Sequence, residues 1–558
     1  MSRLLHALFT TCSLATLLIG PPVSVASAQP ATAAQLEDVV SAAFVADQPG
    51  GAVLVVKDGK VLYRKAVGMA SMELGVPLQP DTIFRLGSIT KQFTAAAVML
   101  LVEDGKIALT DPIEKYLPGY PTQGHVITIE HLLTHTSGIQ SYTAIPGWFP
   151  TRIRADLSLT ELIDGFKKEP MQFAPGERYA YNNSAYVILG AVIEKAAGDT
   201  YERVLTKRIF EPLGLTSTFF GSNEPIIKRR AQGYTEENGV VRNAAFLSMT
   251  QPHAAGSLVS TIDDLAKWDA SLVAGTLLKR GSIQKMATPY TLKDGSRTMY
   301  GYGLQIGTLR GREAVEHGGG INGFSTHALS LPGEGIYVVV LTNSDAPKTS
   351  PGYLAKRLAA MALGSPFPDR TSITVDPTVL ARYAGVYEGK TGRRTVSVEG
   401  GKVYTQRGGG PKAEARPYSP TGFFFDKSLT HLAFEVGADG RATTMLVYVD
   451  GGETPERVAR TSDVPATPEA VRVNPSIYDA YVGEYELGPN FILTVTRDGD
   501  RLVTQATGQQ KIEIFPLSET EFFPKVMEAR ITFVKGPDGK VTELVLRQNG
   551  RETTAKRK

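Results

Sequence analysis

Cysteine is almost absent from this chain: its 558 residues include a single one, Cys12. Cys12 lies in an N-terminal segment that we expect to be removed. Disulfide bonds, thiolate catalysis and cysteine metal ligands are therefore excluded for the mature protein. The eight histidines are scattered without the spacing of metal ligands. The sequence thus predicts neither a metal nor any other cofactor.

An excess of charge of one sign is also lacking. The formal net charge is only +3, and the basic residues do not gather in a long run, so we predict no nucleic-acid partner. Beyond the first 28 residues no apolar stretch is long enough to span a bilayer. The hydrophobic fraction of 42% is that of globular proteins, and the length predicts several domains.

The first 28 residues are predicted to be a signal peptide. Arg3 supplies the positive start, Leu4 to Ile19 form an apolar stretch, and Ala26-Ser27-Ala28 has the small residues of a cleavage site. We therefore expect a periplasmic or secreted protein.

Residues 29–365 are predicted to form an α+β domain, an antiparallel sheet flanked by helices. Apolar runs on both sides of Asp58-Gly59 indicate a β-hairpin. Helical patterns follow from Ser88 onward, and strands are predicted at 326–331 and 336–342. The order of strands, then helices, then strands favours this fold class.

The C-terminal region carries an internal repeat. Tyr383 and Tyr387 recur 98 residues later, and the same offset matches Phe424-Phe425 with Phe522-Phe523. Short alternating strands with Gly and Asp turns are typical of small antiparallel barrels. Two barrel-like (lipocalin-like) units are therefore predicted, over residues 366–464 and 465–558.

Ser88 opens a Ser-x-x-Lys motif in front of a long apolar run, Phe93 to Val102. Residues at i and i+3 are neighbours on a helix, so Lys91 would lie beside the hydroxyl. A serine hydroxyl needs a base to become a nucleophile, and a buried lysine can lose its charge and act as one. A second match, Ser282 to Lys285, shows that the motif alone also fits a helix cap followed by a solvated lysine.

Two further motifs follow in order, Tyr181-Asn182-Asn183 and His317-Gly318-Gly319-Gly320. With Ser88 and Lys91 they resemble the serine penicillin-recognising enzymes, a superfamily that includes class C β-lactamases, DD-peptidases, family VIII esterases and D-aminopeptidases. The resemblance covers about residues 36–365 and implies a β-lactamase/transpeptidase-like domain. The two C-terminal units are similar to the two eight-stranded barrels of D-aminopeptidase.

The resemblance implies that Ser88 is the nucleophile and that Lys91 and Tyr181 are its catalytic partners. Either neutral Lys91 or Tyr181 is the base. A lysine ammonium would favour the phenolate, so we expect the pKa of Tyr181 to lie below its usual value of about 10. The implied oxyanion hole consists of the backbone N–H groups of Ser88 and Gly320.

Four residues are expected to bind substrate: Asn183, His317, Gly319 and Gly320. Asn183 would orient Lys91 and the substrate carbonyl arm, and His317 would donate a hydrogen bond to Tyr181 or to substrate. Glycine would let the strand approach the substrate closely.

Together these features predict an exported serine hydrolase that cleaves a small ester or amide through an acyl-enzyme. Many β-lactamases and DD-peptidases carry lysine where this chain has His317, and histidine is mostly neutral above a pKa of about 6.5. The histidine form resembles the esterase and D-aminopeptidase branches. A D-amino-acid-specific aminopeptidase or DD-peptidase, and a slowly acylating sensor of penicillin or cell-wall fragments, are the alternatives. The substrate is thus a small molecule or peptide, and oligomerisation is left open.

Overall fold

The structure, a computed structural model, describes residues 29–558 except 391, 465–469, 489–490, 508, 510, 528 and 549–550. The predicted signal peptide, residues 1–28, lies outside the described residues. The predicted boundary between the two C-terminal units, at residue 465, also lies outside them.

A six-stranded sheet forms the centre of the first region, and each of its strand pairs is antiparallel. Its strands are β1 (Gly51–Lys57), β2 (Lys60–Val67), β3 (Gln305–Leu309), β4 (Arg312–Ile321), β5 (Phe324–Leu331) and β6 (Ile336–Thr342). Their spatial order is β3-β4-β5-β6-β1-β2. Asp58 and Gly59 join β1 to β2 with φ of +49° and +72°, the backbone that a tight hairpin requires. The predicted α+β fold class is confirmed.

Helices cover both faces of this sheet. The longer ones are α1 (Ala33–Ser41), α2 (Thr90–Glu103), α3 (Asn183–Ala197), α4 (Ile262–Ala274) and α5 (Pro351–Ala362). Helices α2, α3 and α4 pack on one face in the main core, whereas α1 and α5 pack on the other face in a separate cluster. Helix α2 is buried from Thr90 to Leu101, as expected of a helix that is apolar on every side. Among the described residues, no helix has the length and apolar character needed to cross a membrane.

Shorter elements connect these layers. The short helices span Ile129–Leu133, Trp148–Arg152, Leu159–Asp164, Tyr201–Leu205, Glu211–Leu213, His253–Gly256, Arg280–Met286 and Pro377–Leu380. The short strands span Met69–Ser71, Val76–Pro77, Phe84–Arg85, Phe219–Phe220, Tyr234–Glu237, Val240–Asn243 and Leu258–Ser260.

The C-terminal region forms two closed eight-stranded antiparallel barrels, as predicted. The first contains β7 (Gly385–Gly389), β8 (Gly392–Glu399), β9 (Lys402–Arg407), β10 (Lys412–Pro417), β11 (Gly422–Phe424), β12 (His431–Val436), β13 (Ala442–Tyr448) and β14 (Glu456–Ser462). The second contains β15 (Gly483–Gly488), β16 (Phe491–Asp498), β17 (Arg501–Ala506), β18 (Ile512–Pro516), β19 (Glu521–Pro524), β20 (Ala529–Lys535), β21 (Val541–Gln548) and β22 (Arg551–Arg557).

The two barrels repeat the same aromatic interior. The hydroxyl of Tyr387 donates to the carbonyl of Tyr383 at 2.7 Å, and the equivalent bond of the second barrel, Tyr485 to Tyr481, is 2.8 Å. The register of the phenylalanines differs from the prediction by one residue. It is Phe423, not Phe424, that is fully buried like Phe522, because the second unit has gained one residue before this strand. Each Phe packs at 5.6 Å from a ring one strand away, Phe434 or Phe533.

The first barrel attaches to the α5 side of the sheet. Lys356 of α5 forms ion pairs with Glu316 of β4, at 3.0 Å, and with Asp450 of the barrel. Arg310, in the turn between β3 and β4, pairs with Glu453 of the barrel at 3.1 Å. These contacts lie on the face opposite α2.

Candidate active site

Ser88 lies in a 3₁₀ turn, Gly87–Ile89, that leads directly into α2. Gly87 has φ of +55°, and a Cβ at this position would lie 3.0 Å from the backbone nitrogen of Gly320. Only glycine therefore lets the turn approach β4 so closely. Sequence reasoning missed Gly87, although a glycine directly before the motif serine was the available signal. The N–H groups of this first turn lack helical acceptors, which suits an anion beside Ser88.

Lys91 is completely buried and has three described partners. Its Nζ lies 3.1 Å from Ser88 Oγ, 2.8 Å from Asn183 Oδ1 and 2.8 Å from the carbonyl oxygen of Ala255. The amide and carbonyl oxygens can only accept hydrogen bonds. A neutral amine gives one hydrogen to each of them and keeps its lone pair for the Ser88 hydroxyl. Ala255 takes part through its backbone, so no side chain in the sequence revealed this role.

Burial determines the protonation of this group of side chains. Desolvation lowers the pKa of Lys91 well below its ordinary value of 10.5, because a dry site disfavours the charged amine. Desolvation also raises the pKa of Tyr181 above 10.0, and the interaction with Ser88 opposes this only in part. The expected low pKa of Tyr181 is therefore wrong. The raised pKa keeps the proton on the Tyr181 phenol at neutral pH, whereas the lowered pKa of Lys91 favours its neutral, proton-accepting form.

Tyr181 lies directly over Lys91. Nζ of Lys91 is 4.7 Å from the centre of the Tyr181 ring. The side chain of Tyr181 interacts with that of Ser88, although the residue as a whole is 38% exposed. The structure therefore brings the serine, lysine and tyrosine of two distant motifs together at the start of α2.

Asn183 orients Lys91 from the first turn of α3. Asn182 caps this helix by accepting from the backbone N–H of Ala185 at 2.9 Å. Asn183 Oδ1 then accepts from Lys91 Nζ, while Asn183 Nδ2 donates to Thr143 Oγ1 at 3.2 Å. Thr143, which sequence reasoning also missed, thus fixes the orientation of the amide. Asn183 lines the pocket described below as well.

His317 does not have the hydrogen bonds expected of it. Its Nδ1 lies 2.6 Å from the carbonyl oxygen of Gly318, and its Nε2 lies 2.8 Å from the hydroxyl of Tyr300. A carbonyl only accepts, so Nδ1 carries the hydrogen and Nε2 accepts from Tyr300. Neither nitrogen is left to donate to Tyr181 or to substrate. Burial, above all, lowers the pKa of His317 to about 3, so the ring is neutral at physiological pH.

A buried aromatic group supports the Tyr181 ring. The ring of His135 is centred 4.4 Å from that of Tyr181 and 4.6 Å from that of Tyr300. His135 Nδ1 accepts from the backbone N–H of Asn182 at 3.0 Å, and burial lowers its pKa well below 6.5. His135 is therefore a neutral packing residue. Tyr300 was missed because nothing in its local sequence distinguishes it from an ordinary core tyrosine.

The two glycines assigned to substrate binding face different ways. A Cβ at Gly319 would lie 1.9 Å from the carbonyl oxygen of Leu86, so Gly319 packs β4 against the segment before Ser88 rather than facing a ligand. A Cβ at Gly320 would meet no atom within 4 Å, and Gly320 lines the open pocket beside Ser88. Gly320 is thus placed to face a substrate, whereas Gly319 packs against the segment before Ser88 and is not among the described lining residues of the pocket.

A pocket of about 400 Å³ opens beside Ser88. Its lining combines apolar side chains with polar ones, which include Ser88, Thr143, Asn183 and Asp345. Its described lining residues all lie between 87 and 345, so neither barrel contributes a described residue to this pocket. The apolar part is formed by Phe149, Ile153, Leu247, Pro252 and Ile321.

The fold and this arrangement of Ser88, Lys91 and Tyr181 define a class of protein, the β-lactamase-fold serine hydrolases. The Beta-lactamase family profile matches residues 38–362, more than half of the chain, and the chain belongs to this family. A second profile, Domain of unknown function (DUF3471), matches residues 467–557 in the second barrel.

Among curated relatives, "Penicillin-binding protein 4*" of Bacillus subtilis is 29% identical over 74% of this chain and 95% of its own length. A "D-aminopeptidase" of Gluconobacter oxydans is 30% identical over 62% of this chain and 64% of its own. Among solved structures, an octameric penicillin-binding protein homologue from Pyrococcus abyssi has a TM-score of 0.55 at 28% identity. That match covers 76% of this chain and 99% of the homologue.

Proposed function

We propose that this protein hydrolyses a small ester or amide through an acyl-enzyme formed on Ser88, and that it acts outside the cytoplasm. The observation that carries the proposal is the contact of 3.1 Å between Lys91 Nζ and Ser88 Oγ, made by a lysine that is fully buried. A buried amine with two obligatory acceptors is suited to take a proton from the hydroxyl that faces its lone pair.

Acylation begins when Ser88 Oγ attacks the substrate carbonyl carbon and its proton moves to Lys91 Nζ. The carbonyl oxygen becomes an oxyanion, which the backbone N–H groups of Ser88 and Gly320 stabilise. When the bond to the leaving group breaks, that group takes a proton from the Lys91 ammonium by way of the Tyr181 hydroxyl. The products of this half-reaction are the Ser88 ester and the free alcohol or amine.

Deacylation repeats these transfers with water. Lys91 takes a proton from the attacking water by way of the Tyr181 hydroxyl, and the water oxygen adds to the ester carbonyl carbon. Collapse of the second oxyanion releases the acid and returns the proton to Ser88 Oγ. A pocket of about 400 Å³ suits an acyl group of amino-acid size or a little larger.

A narrower candidate is hydrolysis of peptides or amides that bear a D-residue. The specific observation in its favour is the 30% identity to a D-aminopeptidase. Comparing D-alanine p-nitroanilide, L-alanine p-nitroanilide and p-nitrophenyl butyrate as substrates distinguishes this candidate from a general esterase.

A fluorophosphonate label followed by peptide mapping tests the proposed nucleophile without assuming a substrate. We expect one modified peptide, containing Ser88, and a transient acyl-enzyme in the mass spectrum when p-nitrophenyl butyrate is turned over. Labelling elsewhere, with Ser88 unmodified, would contradict the proposal. A stable adduct with fluorescent penicillin and no turnover of any ester or amide would instead favour a sensor.

Replacing Tyr181 by phenylalanine is expected to lower kcat by about 10²- to 10⁴-fold, the usual contribution of one proton-transfer group. The ring and its packing on Lys91 remain, so the loss reports on the hydroxyl alone. The matched control is Tyr179→Phe, which removes a hydroxyl from the neighbouring half-exposed tyrosine. Steady-state ester hydrolysis measures both variants. Near-normal turnover of Tyr181→Phe would leave Lys91 as the sole proton carrier.

A further inference from the structure

Asp345 places a carboxylate in the wall of the Ser88 pocket. It follows β6 by three residues, and its oxygen Oδ2 accepts from the backbone N–H of Gly323 at 2.8 Å. Its own N–H donates to the carbonyl of Tyr234 at 3.1 Å. One backbone contact thus holds the main chain of Asp345, and another holds one oxygen of its carboxylate.

The remaining oxygen of Asp345 has no partner among the residues that the structure describes. In the described part of the chain no hydrogen bond is made to Oδ1, and no lysine or arginine lies within ion-pair distance of the carboxylate. Oδ1 belongs to a side chain that is exposed and lines the pocket. A fixed carboxylate with one free oxygen is a ready acceptor for a charged donor.

The other residues of the pocket offer no compensating charge. Among its described lining residues there is no lysine, arginine or histidine, and five of the others are apolar side chains, Phe149, Ile153, Leu247, Pro252 and Ile321. A substrate carboxylate in this pocket would face Asp345 with no cation to pair with, which costs binding free energy. A substrate ammonium would find both an ion-pair partner and an acceptor.

We infer that Asp345 selects substrates that carry a protonated amine, which binds in the same pocket as the bond that Ser88 attacks. The inference deepens the proposed function and depends on it, because it assigns a substrate class to the same pocket. The ammonium pairs with Asp345 Oδ1 and is not consumed. The bond that breaks is the ester or amide bond attacked by Ser88. The amine belongs either to the acyl part or to the leaving group.

Two sets of isosteric substrates test the inference. They distinguish an amine in the acyl part from an amine in the leaving group. In the first arm, D- and L-alanine p-nitroanilide are compared with 2-methylpropanoyl p-nitroanilide, in which a methyl group replaces the ammonium. In the second arm, 4-(aminomethyl)phenyl propionate is compared with 4-ethylphenyl propionate. We expect kcat/KM to favour the cationic member of one arm by about tenfold or more, as one well-oriented ion pair provides.

Asp345→Asn is the diagnostic variant, since its amide oxygen can still accept from Gly323. We expect the ratio of kcat/KM between the cationic and the neutral member of the favoured arm to fall about tenfold, to near one, when both are measured on the same variant. Asp38→Asn is the control, because it removes the same charge from α1 on the opposite face of the sheet. This control should leave the preference unchanged.

A binding measurement needs no turnover. Alaninamide, but not 2-methylpropanamide, should slow fluorophosphonate labelling of Ser88 in the wild type, and neither should slow it in Asp345→Asn. If Ser88 is labelled but no cationic ligand is preferred in rate or protection, or if the preference survives in Asp345→Asn, the inference is overturned. If Ser88 is not labelled at all, the proposed function itself fails.

Discussion

Ser88→Ala is expected to lower kcat for ester hydrolysis on the order of 10⁴-fold or more, as in other hydrolases that lose their nucleophilic serine. Removing Oγ leaves Lys91 with its bonds to Asn183 and Ala255, so the buried amine stays in place. The expected result is a folded protein that takes no fluorophosphonate label. Steady-state kinetics and thermal unfolding of the same preparation measure the two properties.

The chain supplies its own matched control for this experiment. Ser282 opens a second Ser-x-x-Lys motif, but its hydroxyl donates to Glu103 Oε1 at 2.5 Å and Lys285 is exposed. Ser282→Ala should therefore keep wild-type kcat. Ester hydrolysis that persists in Ser88→Ala, or vanishes in Ser282→Ala, would refute the assignment of the nucleophile.

Lys91→Met is expected to reduce the rate of acylation nearly as much as loss of the serine. Methionine fills a similar volume without a basic nitrogen, so Ser88 keeps its position but loses its proton acceptor. Burial lowers the pKa of Lys91, and the neutral amine is the active form. Wild-type acylation should thus fall as the pH drops through this pKa and be level above it.

The pH profile makes the Lys91 experiment specific. In Lys91→Met the residual labelling rate should no longer fall at low pH, that is, the acid limb of the pH profile should be lost. Lys285→Met should keep both the wild-type labelling rate and this acid limb. Stopped-flow labelling across the pH range gives the profile. An acid limb that persists unchanged in Lys91→Met would assign the titration to another group. His317 is a poor candidate for that group, since its pKa is lowered to about 3.

The parts of the molecule that sequence predicted well depend on local patterns. The Asp58-Gly59 turn, the buried helix after Ser88 and the two tyrosines of each barrel all belong to short motifs with a direct geometric meaning. The convergence of Ser88, Lys91 and Tyr181 followed from the order of three such motifs. The register of the repeat was predicted less well. The second repeat contains one more residue before the phenylalanine strand than the first, so the residue that matches Phe522 is Phe423 and not Phe424.

The rest depends on contacts between distant segments. The protonation of Tyr181 was mispredicted because charge proximity was considered without desolvation, and desolvation is known only once the site is packed. The partner of His317 is Tyr300, which no motif marks. Gly319 serves packing because the carbonyl of Leu86, directly before the Ser88 turn, approaches it. The role of the Ala255 carbonyl depends on its contact with Lys91, and that of the Asp345 carboxylate on its place in the Ser88 pocket. Neither contact can be read from the local sequence.

The pairing of β1 with β6 has a consequence for synthesis of the protein. Gly51 is opposite Thr342 and Lys57 is opposite Ile336, so the edge of β1 that does not pair with β2 gains its partner only near the end of the domain. Such long-range pairing slows folding. The wall that carries Gly320 and Asp345 cannot close on Ser88 until this late stretch has been translated. A ribosome-bound chain that stops before it would hold every residue of the serine and tyrosine motifs and remain inert.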